Sequence, residues 1–367
     1  MLKDVENRFV GLASPTAPRF GHGSHPCQGL YWTPKGKRPR VAMIATHYNV
    51  DFAEHYIAPY MAARGLGFLG WNTRFRGAED QFLLEHALID IGVGVRWLRE
   101  QGVETVVLLG NSGGGSLMGA YQAEAQTLTL SAKGAVEEAL RKLERADLYI
   151  SLNAHPGRPE VLTNWMDASV VDENDPTATD PALDPFDPGP PYDADFIARY
   201  RAAQRARNQR ITDWCKAELK RINALGIPDR VFAMARTWAD LRFMDPAIDP
   251  SERPCPACYR GDPRIANRAP FGIGRANTLR TFLSMWSLET SHCRGEAHLR
   301  ELALPSLVIQ STADTGVFPS DARIIFDALA GRDKTLEMPK GAHYFEDAPE
   351  RRDMVADMMA GWLSTRV

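Results

Sequence analysis

A serine set among glycines is the residue of this sequence best placed for nucleophilic chemistry. Ser112 follows the apolar run Val106-Val107-Leu108-Leu109 and is flanked by Gly110 and Gly114. The apolar run predicts a buried strand, and the residues after Gly115 predict a helix. Glycine two positions before and after the serine lets strand and helix approach closely around a sharp turn. The pattern therefore predicts a nucleophile elbow. A glycine-rich helix entry that binds phosphate is the alternative. However, no lysine follows Gly115, and the glycine spacing fits neither the Walker A pattern nor Gly-x-Gly-x-x-Gly.

A serine hydroxyl is a weak nucleophile at neutral pH, so Ser112 needs a base, an acid that orients the base, and oxyanion donors. Residues 304–314 predict a short buried strand that ends in Asp314, which we interpret as the orienting acid. Residues 335–345 predict a second strand and a glycine-containing turn that carries His343, the predicted general base. The competing acids lie in a predicted helix or the turn after it: Asp321, Asp327 and Asp333.

The elbow serine, the strand-end acid and the loop histidine, in that chain order, resemble the α/β-hydrolase superfamily of serine hydrolases. The resemblance covers roughly residues 27–152 and 303–367. It implies an α/β fold with a mostly parallel, doubly wound sheet and a large inserted cap or lid. It also implies that Ser112 is the nucleophile, Asp314 the acid and His343 the base.

The resemblance further implies an oxyanion hole made of two backbone N–H groups. Gly113, directly after the nucleophile, matches one donor. The second donor in the family comes from the loop after an earlier strand, here His47-Tyr48-Asn49 after the predicted strand 41–46. Tyr48 stands where the family usually has glycine, so either Tyr48 or Asn49 is the second donor. We expect His47 to hold this loop rather than to take part in the chemistry.

Strands that alternate with helices predict the parallel sheet independently of the resemblance. The predicted strands span residues 29–33, 41–46, 67–71, 106–109 and 147–152, and the predicted helices span 52–64, 82–101, 112–125 and 132–145. We therefore assign residues 1–153 to the N-terminal part of the hydrolase core and 303–367 to its C-terminal part.

Residues 154–302 do not continue the alternation and are assigned to a cap or lid insertion. Its segment 172–191 is crowded with Asp and Pro, which predicts loops, and 193–224 predicts a long charged helix. The insertion contains four tryptophans: Trp165, Trp214, Trp238 and Trp286. We expect most of them in its own core and a few in an apolar substrate pocket.

Two further clusters contain residue types that could carry function. Cys255 and Cys258 have Cys-x-x-Cys spacing, but a zinc site needs four ligands and only His292 and Cys293 offer a second half. Two unligated thiols are the favoured interpretation. Arg74 and Arg76 follow the strand that ends at Trp71. A structural ion pair with Glu79 or Asp80 is favoured over a carboxylate-binding role.

Composition excludes several classes of protein. The chain has 367 residues, of which 44% are hydrophobic and 24% charged, so it can bury a large core. Its net charge of −3 gives no electrostatic footprint for nucleic acid or an anionic membrane. No apolar run reaches the roughly 18 to 20 residues of a membrane span, and residues 1–8 lack a signal-peptide pattern. We expect a cytoplasmic location, in which the odd number of cysteines, five, stays reduced. The oligomeric state stays open.

Together these patterns predict a hydrolase of small-molecule carboxylic esters with an apolar or aromatic moiety. The reaction would pass through an acyl-enzyme on Ser112 and would require no cofactor and no metal. Carbon–carbon bond hydrolysis is an alternative, because Gly-Asn-Ser-x-Gly-Gly resembles the elbow of meta-cleavage-product hydrolases. An acyltransferase is a further alternative if the closed lid admits an alcohol or thiol better than water. A catalytically silent binding member of the fold is disfavoured, because it would lack a triad residue and all three candidates are present here.

Overall fold

Eight strands form a single mixed sheet in the computed structural model, which describes residues 4–367. The sheet order is β1-β2-β4-β3-β5-β6-β9-β10, for β1 (Val5–Leu12), β2 (Cys27–Pro34), β3 (Val41–Ala45), β4 (Gly67–Asn72), β5 (Thr105–Ser112), β6 (Leu148–Ala154), β9 (Ser306–Ile309) and β10 (Lys334–Glu337). Strand β2 is antiparallel to β1 and β4, and all other neighbours are parallel. The predicted mostly parallel sheet is confirmed. Residues 1–3, part of the stretch that lacks a signal-peptide pattern, lie outside the described residues.

Helices connect the strands. The α-helices are Arg19–His22, Ala58–Ala63, Leu84–Glu100, Gly114–Gln126, Ala135–Leu140, Arg158–Trp165, Ala194–Asn223, Leu241–Met244, Pro263–Ala266, Leu279–Thr281, Gly295–Leu299, Pro319–Ala328 and Arg351–Ser364. Short 3₁₀ turns lie at Glu79–Gln81 and Pro181–Leu183, and a π-helical turn at Phe282–Trp286. None of the helices within residues 4–367 is both long and apolar enough to cross a membrane.

The central strands are buried on both faces, which explains their continuous apolar sequences. Alternate residues of β5 enter two separate clusters: Val106 and Leu108 in one, Val107 and Leu109 in the other. The first cluster includes residues of the helices Leu84–Glu100, Gly114–Gln126 and Pro319–Ala328. The second includes residues of Ala58–Ala63 and Arg351–Ser364. The sheet is therefore covered by helices on both sides.

Two predicted helices are shorter in the structure. Of the predicted helix 52–64 only Ala58–Ala63 is helical, because side chains from distant segments hold the preceding residues in turns. Asn72 Oδ1 accepts the Phe52 N–H at 2.8 Å, and His55 Nε2 lies 3.1 Å from Asn111 Oδ1. Of the predicted helix 132–145 only Ala135–Leu140 is helical, and it begins after Gly134, whose φ of 60° is not helical.

The segment between β6 and β9, called the inserted segment below, adds no strand to the main sheet in the part of the chain that is described. It contains a two-stranded antiparallel ribbon, β7 (Val231–Ala233) with β8 (Ala276–Thr278), and the long helix Ala194–Asn223. That helix matches the predicted one, and the Asp193 carboxylate caps it by accepting the Phe196 N–H. A third apolar cluster in this segment includes Trp165 and Trp238, whereas Trp286 belongs to the main cluster and Trp214 is exposed.

Candidate active site

Ser112 lies at the turn between β5 and the helix Gly114–Gln126, with φ at 56°. Such a left-handed conformation is uncommon for a residue with a side chain. The glycines around it are required by close backbone contacts. A Cβ on Gly110 would lie 2.4 Å from the Cα of Gly115, and one on Gly114 would lie 2.3 Å from the carbonyl oxygen of Thr46. The motif therefore has the strand-turn-helix geometry that its sequence predicts.

Asp314 and His343 come together at the same edge of the sheet. Asp314 follows β9 and His343 follows β10, and His343 Nδ1 lies 2.6 Å from Asp314 Oδ2. The other carboxylate oxygen accepts the N–H groups of Gly316 and Val317 at 2.9 and 3.0 Å. His343 Nε2 is buried and makes no hydrogen bond within residues 4–367. In particular, it is not bonded to Ser112 Oγ. Asp314 and His343 are thus paired, while the Ser112 hydroxyl makes no hydrogen bond to the imidazole.

The three other carboxylates that could have paired with His343 make no hydrogen bond to it. Asp321 Oδ2 accepts the Phe318 N–H at 3.0 Å, and Asp321 Oδ1 lies 3.2 Å from Arg242 Nη1. Asp333 pairs with Arg366 at 2.6 Å, and Asp327 is exposed. None of these three carboxylates bonds to His343.

Tyr259 from the inserted segment completes the surroundings of the pair. Its phenolic oxygen lies 2.9 Å from His343 Nδ1 and 3.2 Å from Asp314 Oδ1. Burial is the main cause that raises the pKa of Tyr259 well above its usual range, and the charge of the nearby Asp314 raises it further. The phenol therefore stays protonated and donates a hydrogen bond to the carboxylate. The sequence offers no local motif that would have identified this residue.

The loop after β3 contains the two candidates for the second oxyanion donor, the backbone N–H groups of Tyr48 and Asn49. The Asn49 N–H points at His47 Nδ1, 3.4 Å away, and the Val50 N–H points at the same nitrogen from 3.3 Å. No hydrogen bond to the described part of the chain engages the N–H groups of Tyr48 or Gly113. The Tyr48 side chain is fully buried, with its hydroxyl 3.0 Å from Ser116 Oγ. His47 thus holds the loop.

Structural comparison places this arrangement in a known fold. The chain superposes on the α/β hydrolase GrgF from Penicillium sp. sh18 with a TM-score of 0.54 at 11% identity, covering 98% of each chain. The chain has the α/β-hydrolase fold. A structure titled DcsB in complex with its substrate analogue gives a TM-score of 0.50 at 12% identity, covering 99% of this chain and 100% of that one. The esterase domain of a Rhodothermus marinus protein gives 0.48 at 13% identity, covering 98% of each chain. Neither a protein-family model nor a curated protein matches the sequence.

The α/β-hydrolase sheet carries a cavity of about 440 Å³ over Ser112. Strand ends at this edge form the usual ligand site of open α/β sheets. The inserted segment supplies most of the walls, including Trp165, Trp238, Tyr259 and Phe271. Trp165 and Trp238 thus line this cavity, and a role for them in binding substrate stays a prediction.

Charged and titratable groups also line this cavity, and two of them, His155 and Arg158, carry no signal in the sequence. His155 follows β6 directly, and its N–H donates to the Ser112 carbonyl at 3.0 Å. Burial holds the pKa of His155 and of His47 well below the usual range of histidine, so both are neutral at pH 7. Arg158 begins the next helix and pairs with Glu79 at 3.3 Å.

The predicted partners of the two loop arginines were wrong. Arg74 pairs with Asp90 at 2.7 Å, where both side chains are buried, and Arg76 pairs with Asp51 at 3.0 Å. The predicted partner Glu79 instead turns toward the cavity, and Arg74 does not line that cavity. Arg74 therefore forms a structural ion pair, as predicted, but its partner is Asp90 instead of Glu79 or Asp80.

The five cysteines are free thiols in the structure. Cys258 is buried, and the Cys255 thiol lies 3.4 Å from the Phe243 carbonyl oxygen. Across residues 4–367 no cluster of three or more His, Cys, Asp or Glu side chains is arranged to hold a metal ion.

Proposed function

We propose that the protein hydrolyses carboxylic esters, with Ser112 as nucleophile, His343 as general base and Asp314 as the orienting acid. The observation that carries the proposal is the Asp314–His343 hydrogen bond of 2.6 Å at the sheet edge where Ser112 occupies its strained turn. The substrate is a small-molecule ester that fits the cavity over Ser112.

The first half of the reaction acylates the serine. His343 Nε2, which makes no hydrogen bond within the described chain, accepts the proton from Ser112 Oγ as the oxygen attacks the ester carbonyl. Asp314 fixes the proton on Nδ1 and stabilises the imidazolium that forms. The N–H groups of Gly113 and Tyr48 stabilise the oxyanion, since the Asn49 N–H is directed at His47. The imidazolium then protonates the departing alcohol.

The second half releases the acid. A water molecule replaces the alcohol, and His343 Nε2 takes its proton as the water oxygen attacks the acyl carbon on Ser112. The bond between the acyl carbon and Ser112 Oγ then breaks, the imidazolium returns its proton to Oγ, and the acid leaves. We propose that residues 154–302 act as the cap in both steps, because Trp165, Trp238 and Tyr259 from this segment enclose the cavity. Enclosure keeps bulk water away and selects the acyl or alcohol part.

The experiment that tests the proposal measures release of p-nitrophenol from acetyl, butyryl and benzoyl esters by the wild type and the Ser112→Ala variant. The wild type is expected to turn over at least one of these esters. Ser112→Ala should lower kcat by at least about 10³-fold while the protein stays folded, because no other group replaces the nucleophile.

The matched control is Ser151→Ala in the neighbouring strand, which removes a buried hydroxyl that has no hydrogen-bond partner among the described residues. It should keep turnover within about twofold, since it leaves the site untouched. Equal turnover by Ser112→Ala and the wild type would refute the assignment of the nucleophile.

A further inference from the structure

Arg158 is buried at the wall of the cavity over Ser112, with 4% of its surface exposed. Its guanidinium lies between two aromatic rings, 4.7 Å from the ring centroid of Tyr48 and 4.7 Å from that of Trp286. Nη2 lies 3.3 Å from Glu79 Oε1, and the other Glu79 oxygen accepts the Gly274 N–H at 3.1 Å. The position of the guanidinium is therefore fixed without any ligand.

These contacts leave much of the guanidinium without partners. Nε is buried and bonds to nothing within residues 4–367, and no hydrogen bond from Nη1 to the described chain is present. Nη1 lies beside Gly113, the residue directly after Ser112, because a Cβ built on Gly113 would lie only 2.9 Å from it. A guanidinium has five N–H donors in a planar fork that suits a carboxylate. Glu79 engages only one edge of that fork.

The charges around the cavity favour an anion. Arg260 and Arg275 also line it and are exposed, whereas the opposing acids are Asp80 and the already paired Glu79. His47 and His155 are neutral and so add no charge. Both members of the Arg158–Glu79 pair are buried, and burial lowers the pKa of Arg158 and raises the pKa of Glu79.

We propose that Arg158 binds a carboxylate of the substrate, so that the enzyme prefers esters that carry a free carboxylate a few bonds from the scissile carbonyl. This inference rests on the proposed function, because the ester is the one that Ser112 attacks. The neutral aromatic walls of Trp165 and Trp238 then pack against the remainder of the molecule.

The test compares two esters that differ only in charge: monoethyl glutarate, with a carboxylate, and ethyl glutaramate, with an amide of the same shape. For the wild type, kcat/KM measured by ethanol release should be at least about tenfold higher for the acid, as expected for a charge-assisted hydrogen bond. Arg158→Gln should remove most of this preference, and Arg158→Lys should retain part of it. The ratio of the two kcat/KM values is independent of the fraction of protein that is folded.

Arg332→Gln is the matched control, since it removes the same charge from an exposed position that does not line the cavity. It should change the ratio by less than about threefold, because an exposed charge is screened by solvent and salt. Arg158→Gln leaves Glu79 buried without a cation, so the double variant Glu79→Gln/Arg158→Gln serves if the single variant does not fold. It should show the same loss of preference.

A second measurement does not depend on turnover. Glutarate should bind to the Ser112→Ala protein in calorimetry, and binding should weaken by at least about tenfold when Arg158→Gln is added. Equal kcat/KM values of the wild type for the two esters would overturn the carboxylate site while leaving ester hydrolysis intact. An equal loss on both esters in folded Arg158→Gln would also overturn it, by assigning Arg158 to oxyanion stabilisation. Failure of ester hydrolysis itself would leave glutarate binding as the deciding result, and its absence would overturn the site.

Discussion

The Asp314 carboxylate is held in place before any substrate arrives. It accepts hydrogen bonds from two backbone N–H groups, from His343 Nδ1 and from the Tyr259 hydroxyl. Because these donors are fixed by the fold, the carboxylate would need no rearrangement when, in the proposed reaction, positive charge develops on the imidazole. The contact with Tyr259 also connects the inserted segment directly to the acid and base. The proposed chemistry therefore depends on contacts from two separate parts of the chain.

Asp314→Asn tests this arrangement. The asparagine oxygen can still accept the N–H groups of Gly316 and Val317, so the loop should keep its shape. The amide can no longer hold the proton on His343 Nδ1, and kcat for an ester substrate should fall by up to about 10⁴-fold. Steady-state kinetics with a thermal unfolding curve measure both effects.

Asp321→Asn is the matched control, because it makes the same change in a buried acid of the next helix. It weakens the ion pair with Arg242, so the melting temperature should fall. The value of kcat should change by less than about threefold, since Asp321 does not bond to His343. A silent Asp314→Asn together with an inactive Asp321→Asn would reverse the assignment of the acid.

At the scale of elements, the turn at Ser112 depends on backbone contacts that admit no side chain. Gly110→Ala would place its methyl group 2.4 Å from the Cα of Gly115, so the strand and helix would have to separate. We expect the free energy of unfolding to fall by about 1 to 3 kcal/mol or more, measured by urea unfolding.

Gly361→Ala provides the opposite case. Gly361 lies within the helix Arg351–Ser364, and a Cβ there would meet no atom within 4 Å. The substitution should stabilise the protein by about 0.5 to 1 kcal/mol, because alanine favours the helix. A neutral Gly110→Ala would contradict the packing described for the elbow.

Elements that are buried on both faces could be predicted from the sequence. An exposed edge strand, and a helix start that is fixed by a residue far away in the chain, could not. Strands β3, β5 and β6 carry continuous apolar runs, whereas β1 is mostly exposed at the sheet edge and has no such signal. The predicted helix 52–64 is too long at its start because His55 is held by Asn111, far away in the chain.

The same reasoning separates the residues of the candidate site. Ser112, Asp314 and His343 each lie in a local strand-and-turn pattern, and the structure brings the last two into contact. Arg158 and Tyr259 have no local motif, because their positions are set by the packing of the inserted segment on the sheet. The contacts of these two residues could be seen only in the folded chain.

At the scale of the whole molecule, buried neutral histidines make stability depend on pH. Burial lowers the pKa of His55 to about 3, and those of His47 and His155 also lie well below their usual range. In the unfolded chain the same groups titrate near a pKa of about 6.5. The unfolded state therefore binds more protons below this pH, and the free energy of unfolding falls as the pH drops.

We expect each of these histidines to contribute up to about 1.4 kcal/mol per pH unit to this loss below pH ~6. Urea unfolding at closely spaced pH values between ~7 and ~5 measures the slope. His55→Gln should reduce the slope, while His25→Gln, at an exposed position, should leave it unchanged. A slope unaffected by His55→Gln would show that this histidine does not resist protonation in the folded protein.

The proposed enzyme stands on Ser112 as the nucleophile and on His343 as the base that activates it. Treatment with a fluorophosphonate, followed by digestion and mass spectrometry, identifies the modified residue directly. We predict a single adduct on Ser112, loss of ester turnover in proportion to labelling, and much slower labelling of His343→Ala. An adduct on another residue, or undiminished ester turnover after complete labelling of Ser112, would contradict this assignment.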